Sequence, residues 1–294
     1  MATLLLGPQG ELKIAVLARD HVSGAIKLDV RQAEDGTLIS RMYLPPDRDY
    51  LDLRFLPGLA GLEDGVLVLM TRHADDTLVA ELMETNGMRV RNIEFGAGLE
   101  YADSDVSGNR LLGQLAVLLV NGAGQTQVQF RSMNGPDRSP IDLSTSGRPV
   151  SLRFYPGPTG LLAESIAVTH HDEAIGGYVN VYTIDPLLGG ESWNYQFARM
   201  PSDEVGKLIR IEAETPVLAY RFGDRVIWWP ADAANDDRSF DLPAGGYQWR
   251  QLVDAPDVDG AGNPGVMAFG IGPDGAPTVV TMNLQGGLIS IVRY

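Results

Sequence analysis

Apolar residues in this chain come in short blocks broken by glycine, proline, asparagine and aspartate, and one block keeps returning. It reads Ile14-Ala-Val-Leu17, Val66-Leu-Val-Leu69, Ala116-Val-Leu-Leu119, Ile166-Ala-Val-Thr169, Pro216-Val-Leu-Ala219 and Val266-Met-Ala-Phe269, with first residues 52, 50, 50, 50 and 50 apart. Other segments keep the same step. Leu38-Ile-Ser40 returns 250 residues later as Leu288-Ile-Ser290, and Leu53-Arg-Phe55 with Pro57-Gly58 returns as Leu152-Arg-Phe154 with Pro156-Gly157. A fixed period of this length marks one unit that is repeated and stacked.

The second copy shows what the unit contains. Four short runs, Leu51–Leu56, Val66–Met70, Leu78–Met83 and Arg89–Phe95, are separated by Pro57–Gly65, Arg72–Asp76 and Glu84–Gly87. These runs have the length of strands, and Asn86-Gly87 is a dipeptide suited to the positive φ of a tight hairpin. Val66–Met70 is apolar on both faces, as a strand between two layers must be. Arg89–Phe95 is more polar, as an outer edge should be. No stretch has a helical period; Asp203–Ala213 could pass for a turn or two, but the repeat register predicts a strand there.

Four antiparallel strands repeated about every fifty residues predict a blade, and six copies predict an all-β, six-bladed β-propeller. A parallel β-helix would need a far shorter period, and a lipocalin-like barrel would need no repetition. The 294 residues, which length alone would divide in two, then read as one domain. Its expected blades are residues 1–46, 47–97, 98–146, 147–198, 199–243 and 244–294.

Composition narrows the classes. An apolar content of 44% supplies a core and argues against intrinsic disorder. With no cysteine there is no disulfide framework, thiolate nucleophile or iron–sulfur site. Twenty-three Lys and Arg against 38 Asp and Glu leave a net charge of −15, which repels phosphate backbones and makes nucleic acid an unsuitable partner. No run approaches the roughly 20 apolar residues of a membrane span. The first residues lack a basic segment, so the chain is read as made without a signal peptide or as cut from a longer protein.

The last unit, Val253-Asp-Ala-Pro-Asp-Val-Asp-Gly-Ala-Gly-Asn-Pro-Gly-Val-Met-Ala-Phe-Gly-Ile271, resembles the FG-GAP/VCBS-type repeats of integrin-α-like propellers and secreted bacterial proteins. The strand pattern of the first unit, from Leu12 to Ser40, is similar. The resemblance implies that the strand before the aspartate-rich loop is innermost and that the chain holds six whole blades. The rival phase puts Ile14–Leu17 innermost, with residues 2–6 completing the last blade. In the family that loop often holds calcium through oxygen ligands. Here Asp257 and Asp259 occupy the first two ligand positions, Ala261 and Gly265 fill later ones, and Asp254 stands nearby. The plainer reading of this loop is an Asx-turn without metal.

Two further clusters carry chemistry. The four histidines, His21, His73, His170 and His171, all follow the recurring apolar block, which predicts hairpin loops on one face of the disc. Arg19, Arg72, Asp172 and Arg221 fall in or beside the same loops. Imidazoles meeting carboxylates there could bind a ligand or a transition metal or move protons, although turn residues in water are their commoner role. The four tryptophans, Trp193, Trp228, Trp229 and Trp249, lie within the expected blades four to six, where stacking on a sugar ring competes with packing between blades. Adjacent Trp228 and Trp229 must point to opposite faces, so one at most serves a surface, and Trp228 is the candidate.

No nucleophile elbow, phosphate loop, dinucleotide fingerprint or His-Glu-x-x-His motif is present. The expectation is therefore a non-catalytic module, extracellular or at the cell surface, that presents one loop face to a protein or glycan. It should be monomeric unless part of an assembly, and need no cofactor beyond the possible calcium. A metal-dependent hydrolase or lyase and a structural subunit of an extracellular assembly are the competing readings.

Overall fold

The computed structural model describes residues 2–6, 12–20, 22–56, 65–107, 113–133, 137–143, 147–156, 164–172, 176–184, 190–196, 207–209, 217–222, 225–230, 238–255 and 265–293. Every regular element among them is a strand. They divide into two compact units, Met1–Ser144 and Thr145–Tyr294.

The first unit holds three four-stranded antiparallel sheets. Sheet one is β1 (Ala2–Leu6), β2 (Leu12–Arg19), β3 (Ile26–Gln32) and β4 (Leu38–Leu44). Sheet two is β5 (Asp49–Leu56), β6 (Val66–Arg72), β7 (Thr77–Met83) and β8 (Arg89–Ala97). Sheet three is β9 (Glu100–Val106), β10 (Gln114–Val120), β11 (Thr126–Ser132) and β12 (Ile141–Leu143). In the second unit, sheet four is β13 (Arg148–Pro156), β14 (Glu164–Asp172), β15 (Gly176–Ile184) and β16 (Gly190–Gln196). Sheet five is β17 (Lys207–Ile209), β18 (Val217–Phe222), β19 (Arg225–Pro230) and β20 (Arg238–Asp241). Sheet six is β21 (Gln248–Ala255), β22 (Gly265–Ile271), β23 (Pro277–Asn283) and β24 (Leu288–Arg293).

Strands are ordered in space as in sequence within every sheet, because short hairpins can join only antiparallel neighbours. The first strands adjoin one another: β5 lies beside β1 and β9, and β17 beside β13 and β21. The recurring block Ile14–Leu17 lies in β2, one strand further out. Lys207–Ile209, inside the segment with helix-like composition, is strand.

Strand β6 shows why the repeating block is apolar throughout. Leu67 and Leu69 pack with Ala15, Leu17, Leu28 and Val30 of sheet one. Val66, Val68 and Met70 pack with Leu115, Val117 and Leu119 of sheet three. With both faces covered, alternation disappears.

The sequence alignment of sheets one and two is one residue out along β2. Ile14 was matched to Val66, yet Ala15 and Leu17 face sheet two, whereas Val66 and Val68 face sheet three. The hairpin explains the slip. Asp20 N donates to Ala25 O, where His73 N donates to Thr77 O, so the β2–β3 turn holds one residue more. A one-residue shift exchanges the two faces of a strand.

Four of the six first strands share another irregularity. A bulge interrupts β5 between Tyr50 and Asp52, β9 between Tyr101 and Asp103, β13 between Pro149 and Ser151, and β21 between Trp249 and Gln251. Each bulge re-aims the polar residue after it, a common use of bulges at rims.

Candidate binding face

The predicted loop residues fall in or beside the hairpins after β2, β6, β14 and β18, and the turns after β2, β6, β10 and β22 are described in full or nearly so. In three of them the turn repeats bond for bond: His73 N to Thr77 O and Asp76 N to His73 O, Asn121 N to Gln125 O and Gly124 N to Asn121 O, Gly272 N to Ala276 O and Gly275 N to Gly272 O. The last residue of such a turn has positive φ, which glycine adopts freely, and it is Gly124 and Gly275 in two of them. Asp76 holds that position in the second sheet, at φ 66°. Its carboxylate accepts from Arg72 Nη1 and, at 3.1 Å, from Gly98 N, while Arg72 Nη2 donates to Leu99 O at 2.8 Å. The Arg72 guanidinium, then the Gly98 amide, hold the Asp76 carboxyl below the usual range. Arg72 and Asp76 thus clasp their hairpin to the segment that leads into β9.

Arg19 is exposed at the end of β2, and His21 lies outside the described residues. His73 is half-buried, with Nε2 3.7 Å from Glu81 Oε1. Glu81 is buried on β7 and accepts from Arg48 Nη1, from Arg89 Nη2 at 2.8 Å and from Thr71 Oγ1 at 3.4 Å.

The prediction of a turn for His170 and His171 is corrected. Both belong to β14, where they pair with Pro149 and Arg148. His170 is fully buried, and burial pushes its imidazole down to about 4, so at neutral pH it is uncharged. His171, one residue on, is half-exposed on the opposite face. Asp172 ends β14, Arg221 lies on β18 opposite Val226, and Trp228 lies on β19 opposite Ala219; their side chains are outside the described set. Asp257 and Asp259 also fall outside the described residues, as does the whole loop between β21 and β22. Among the described residues no three histidine, aspartate or glutamate side chains gather as metal ligands.

Trp249 is a packing residue. It is buried, stacked on Tyr247 at 5.0 Å with 8° between planes, and Arg293 Nη2 donates to Tyr247 Oη at 3.1 Å. Its cross-strand partner is Gly270, where an added Cβ would meet Trp249 Cε3 at 2.9 Å.

A buried polar network was missed by the sequence reading. Between β5 and β9, Arg54 Nε donates to Asp52 Oδ2 at 2.8 Å and Nη2 to Asp103 Oδ1 at 2.6 Å. Tyr101 Oη donates to Asp52 Oδ2 at 2.8 Å and Ser104 Oγ lies 3.2 Å from the same oxygen. Burial opposes the Arg54 charge, yet Asp52 and Asp103 hold it well above its ordinary value. Burial first, then the same carboxylates, raise the Tyr101 hydroxyl far above its usual range, so it remains a donor. One signal was available in the sequence: the arginine shared by Leu53-Arg-Phe55 and Leu152-Arg-Phe154. Arg153 is also buried, and its Nη1 donates to Leu152 O.

The division of labour is clear in the described residues. Buried ions are consumed by partners, Arg54 by two aspartates and Glu81 by two arginines. Beside the hairpins Arg19 and Asp75 are exposed and His171 is half-exposed, while His73 turns its Nε2 inward toward Glu81. Such groups can bind a polar ligand; no paired acid and base is built among them. No helix among the described residues is long and apolar enough to cross a membrane.

No family model and no curated protein matches the chain. Solved structures do. AofleA from Arthrobotrys oligospora is similar at TM-score 0.63 and 11% identity, over 100% of this chain and 85% of that one. A protein of unknown function from Bacteroides caccae gives 0.57 and 12%, over 99% and 93%. The BP39L lectin from Burkholderia pseudomallei gives 0.56 and 14%, over 100% and 84%. At these identities the likeness concerns the fold alone, and the chain is an all-β protein with a β-propeller arrangement.

Proposed function

We propose that the six sheets are blades of one six-bladed propeller, and that it works as a non-catalytic module binding a glycan through its hairpin face. The observation that carries this reading is a recurring basic position. Arg19 and Arg72 each end the second strand of their sheet, and His171, 99 residues after Arg72, keeps the step that separates Leu53 from Leu152. A basic side chain recurring at the same point of the first, second and fourth sheets, beside exposed carboxylates such as Asp75, is suited to the hydroxyls of a branched sugar. The lectin among the similar structures supports the same class of ligand. An extracellular setting and a calcium ion on Asp257 and Asp259 belong to this proposal.

The test is a glycan array with the intact protein, with and without calcium, followed by calorimetry on any hit. Replacing Arg19, His73 and His171 by alanine together should weaken binding at least about tenfold, the effect of losing about 1.4 kcal/mol of contacts. Arg72 is left intact because it clasps the hairpin. Unchanged affinity of the triple variant would overturn the face; no hit on the array together with capture of a protein partner would overturn the ligand class.

A further inference from the structure

Three Asn-Gly pairs occur in the sequence, at 86–87, 121–122 and 134–135, the last outside the described residues. Asn-Gly is the pair most prone to lose the side-chain amide, because glycine offers no side chain to hinder attack by its own backbone nitrogen. The two described pairs are chemically alike but sit at different points of their turns. Asn86 is the third residue of the turn that begins at Glu84. Gly87 N donates to Glu84 O at 2.9 Å, Asn86 Nδ2 donates to Glu84 Oε2 at 2.8 Å, and Asn86 Oδ1 accepts from Met88 N at 2.8 Å. Gly87 also touches the neighbouring sheet, since an added Cβ would meet Met42 Cγ at 2.7 Å. The attacking nitrogen is therefore held, and the turn is braced from outside.

Asn121 opens its turn. Its Nδ2 donates to Gln125 Oε1 at 3.0 Å and its Oδ1 accepts from Ala123 N and Gln125 N, both at 3.0 Å, so the side chain is held as at Asn86, but among the described residues nothing accepts from Gly122 N. Gly122 is exposed, with open space around it. The two hydrogen bonds draw electrons from the Asn121 carbonyl, which makes its carbon a better electrophile, while the nucleophile next to it is free to lose its proton to water.

We infer that, of the two described pairs, Asn121 and not Asn86 is the one that deamidates in the folded protein. Gly122 N, once deprotonated by solvent base, forms a bond to Asn121 Cγ, and the bond from Cγ to the amide nitrogen breaks. Ammonia leaves with the proton. Water then opens the cyclic imide at one of its two carbonyls, giving aspartate or isoaspartate. Aspartate fits: Asp20 stands at the same place in the β2–β3 turn and accepts from Val22 N and Ser23 N. Isoaspartate does not, because its extra backbone carbon breaks the pairing of Asn121 N with Gln125 O. Either product adds a negative charge to the hairpin.

The intact protein is incubated at mildly alkaline pH and mapped by mass spectrometry, with fragmentation that separates aspartate from isoaspartate. Asn121 should convert about tenfold faster than Asn86, the factor that one amide hydrogen bond of about 1.4 kcal/mol is worth. In urea the two pairs should react at similar rates. Conversion at Asn86 as fast as at Asn121 in the folded protein would refute the inference. So would the same tenfold difference persisting in urea, since neighbouring sequence rather than structure would then set it.

Discussion

Replacing Arg54 by methionine tests whether the network between β5 and β9 stabilises the first unit through paired charge. The substitution keeps much of the apolar stem and removes the guanidinium. Asp52 and Asp103 then lose bonds of 2.8 and 2.6 Å and remain buried with the Arg54 cation gone. Breaking a buried ion pair from one side costs about 3–5 kcal/mol, a large part of the 5–15 kcal/mol that holds a typical domain folded. The sign of the pH dependence follows. Carboxyls buried without that cation favour protonation in the native state, so the variant's native form binds more protons than the wild type's, and its stability relative to wild type rises as pH falls from about 7 to 5. Urea unfolding should be followed by circular dichroism, because all four tryptophans lie in the second unit. The triple variant D52N/R54M/D103N removes the stranded charges and should recover at least about 2 kcal/mol. If R54M costs less than about 1 kcal/mol, or its deficit against wild type widens with acid, the network is not held together as argued.

Two other perturbations read different parts of the molecule. Burial pushes the folded-state pKa of His170 down to about 4 from an ordinary 6.5, so the unfolded chain binds the extra proton between those values. Stability from this group is complete above about pH 6.5 and declines by about 3 kcal/mol as pH falls toward 4. His170→Gln should flatten that part of the pH profile, and an unchanged slope in urea titrations would contradict the assignment. At Asp76, substitution by alanine keeps the positive φ and loses both carboxylate bonds, whereas glycine relieves the backbone and loses the same bonds. Alanine should therefore be the less stable of the two, and both should speed amide exchange at Gly98; slow exchange in either would show that the clasp is not made through Asp76.

Much of the strand layout was legible in the residues. The four runs expected in the second sheet coincide with β5 to β8 to within two residues at either end, because each is bounded by proline, glycine or an Asx residue that ends a strand locally. The register of β2 was not legible. Ile14 and Val66 look equivalent by composition, and only the extra residue in the β2–β3 turn shows that they face opposite ways. The buried charges were invisible for a related reason. Arg54 and Asp103 are 49 residues apart, and a charged residue in a strand reads as outward-facing unless its partner is known. His170 went wrong in the same manner, since a histidine after an apolar block looks like the start of a loop until β14 is seen to continue through Asp172.

The sequence by itself determined where strands and turns fall, since those depend on local backbone freedom and on the repeated apolar block. Tertiary structure alone decided which face each strand buries and which ions meet. Side chains alternate with a period of two, so a single residue in a turn inverts the outcome. A buried arginine is tolerable only where another sheet supplies its carboxylates, and that supply is a property of packed neighbours rather than of any one segment.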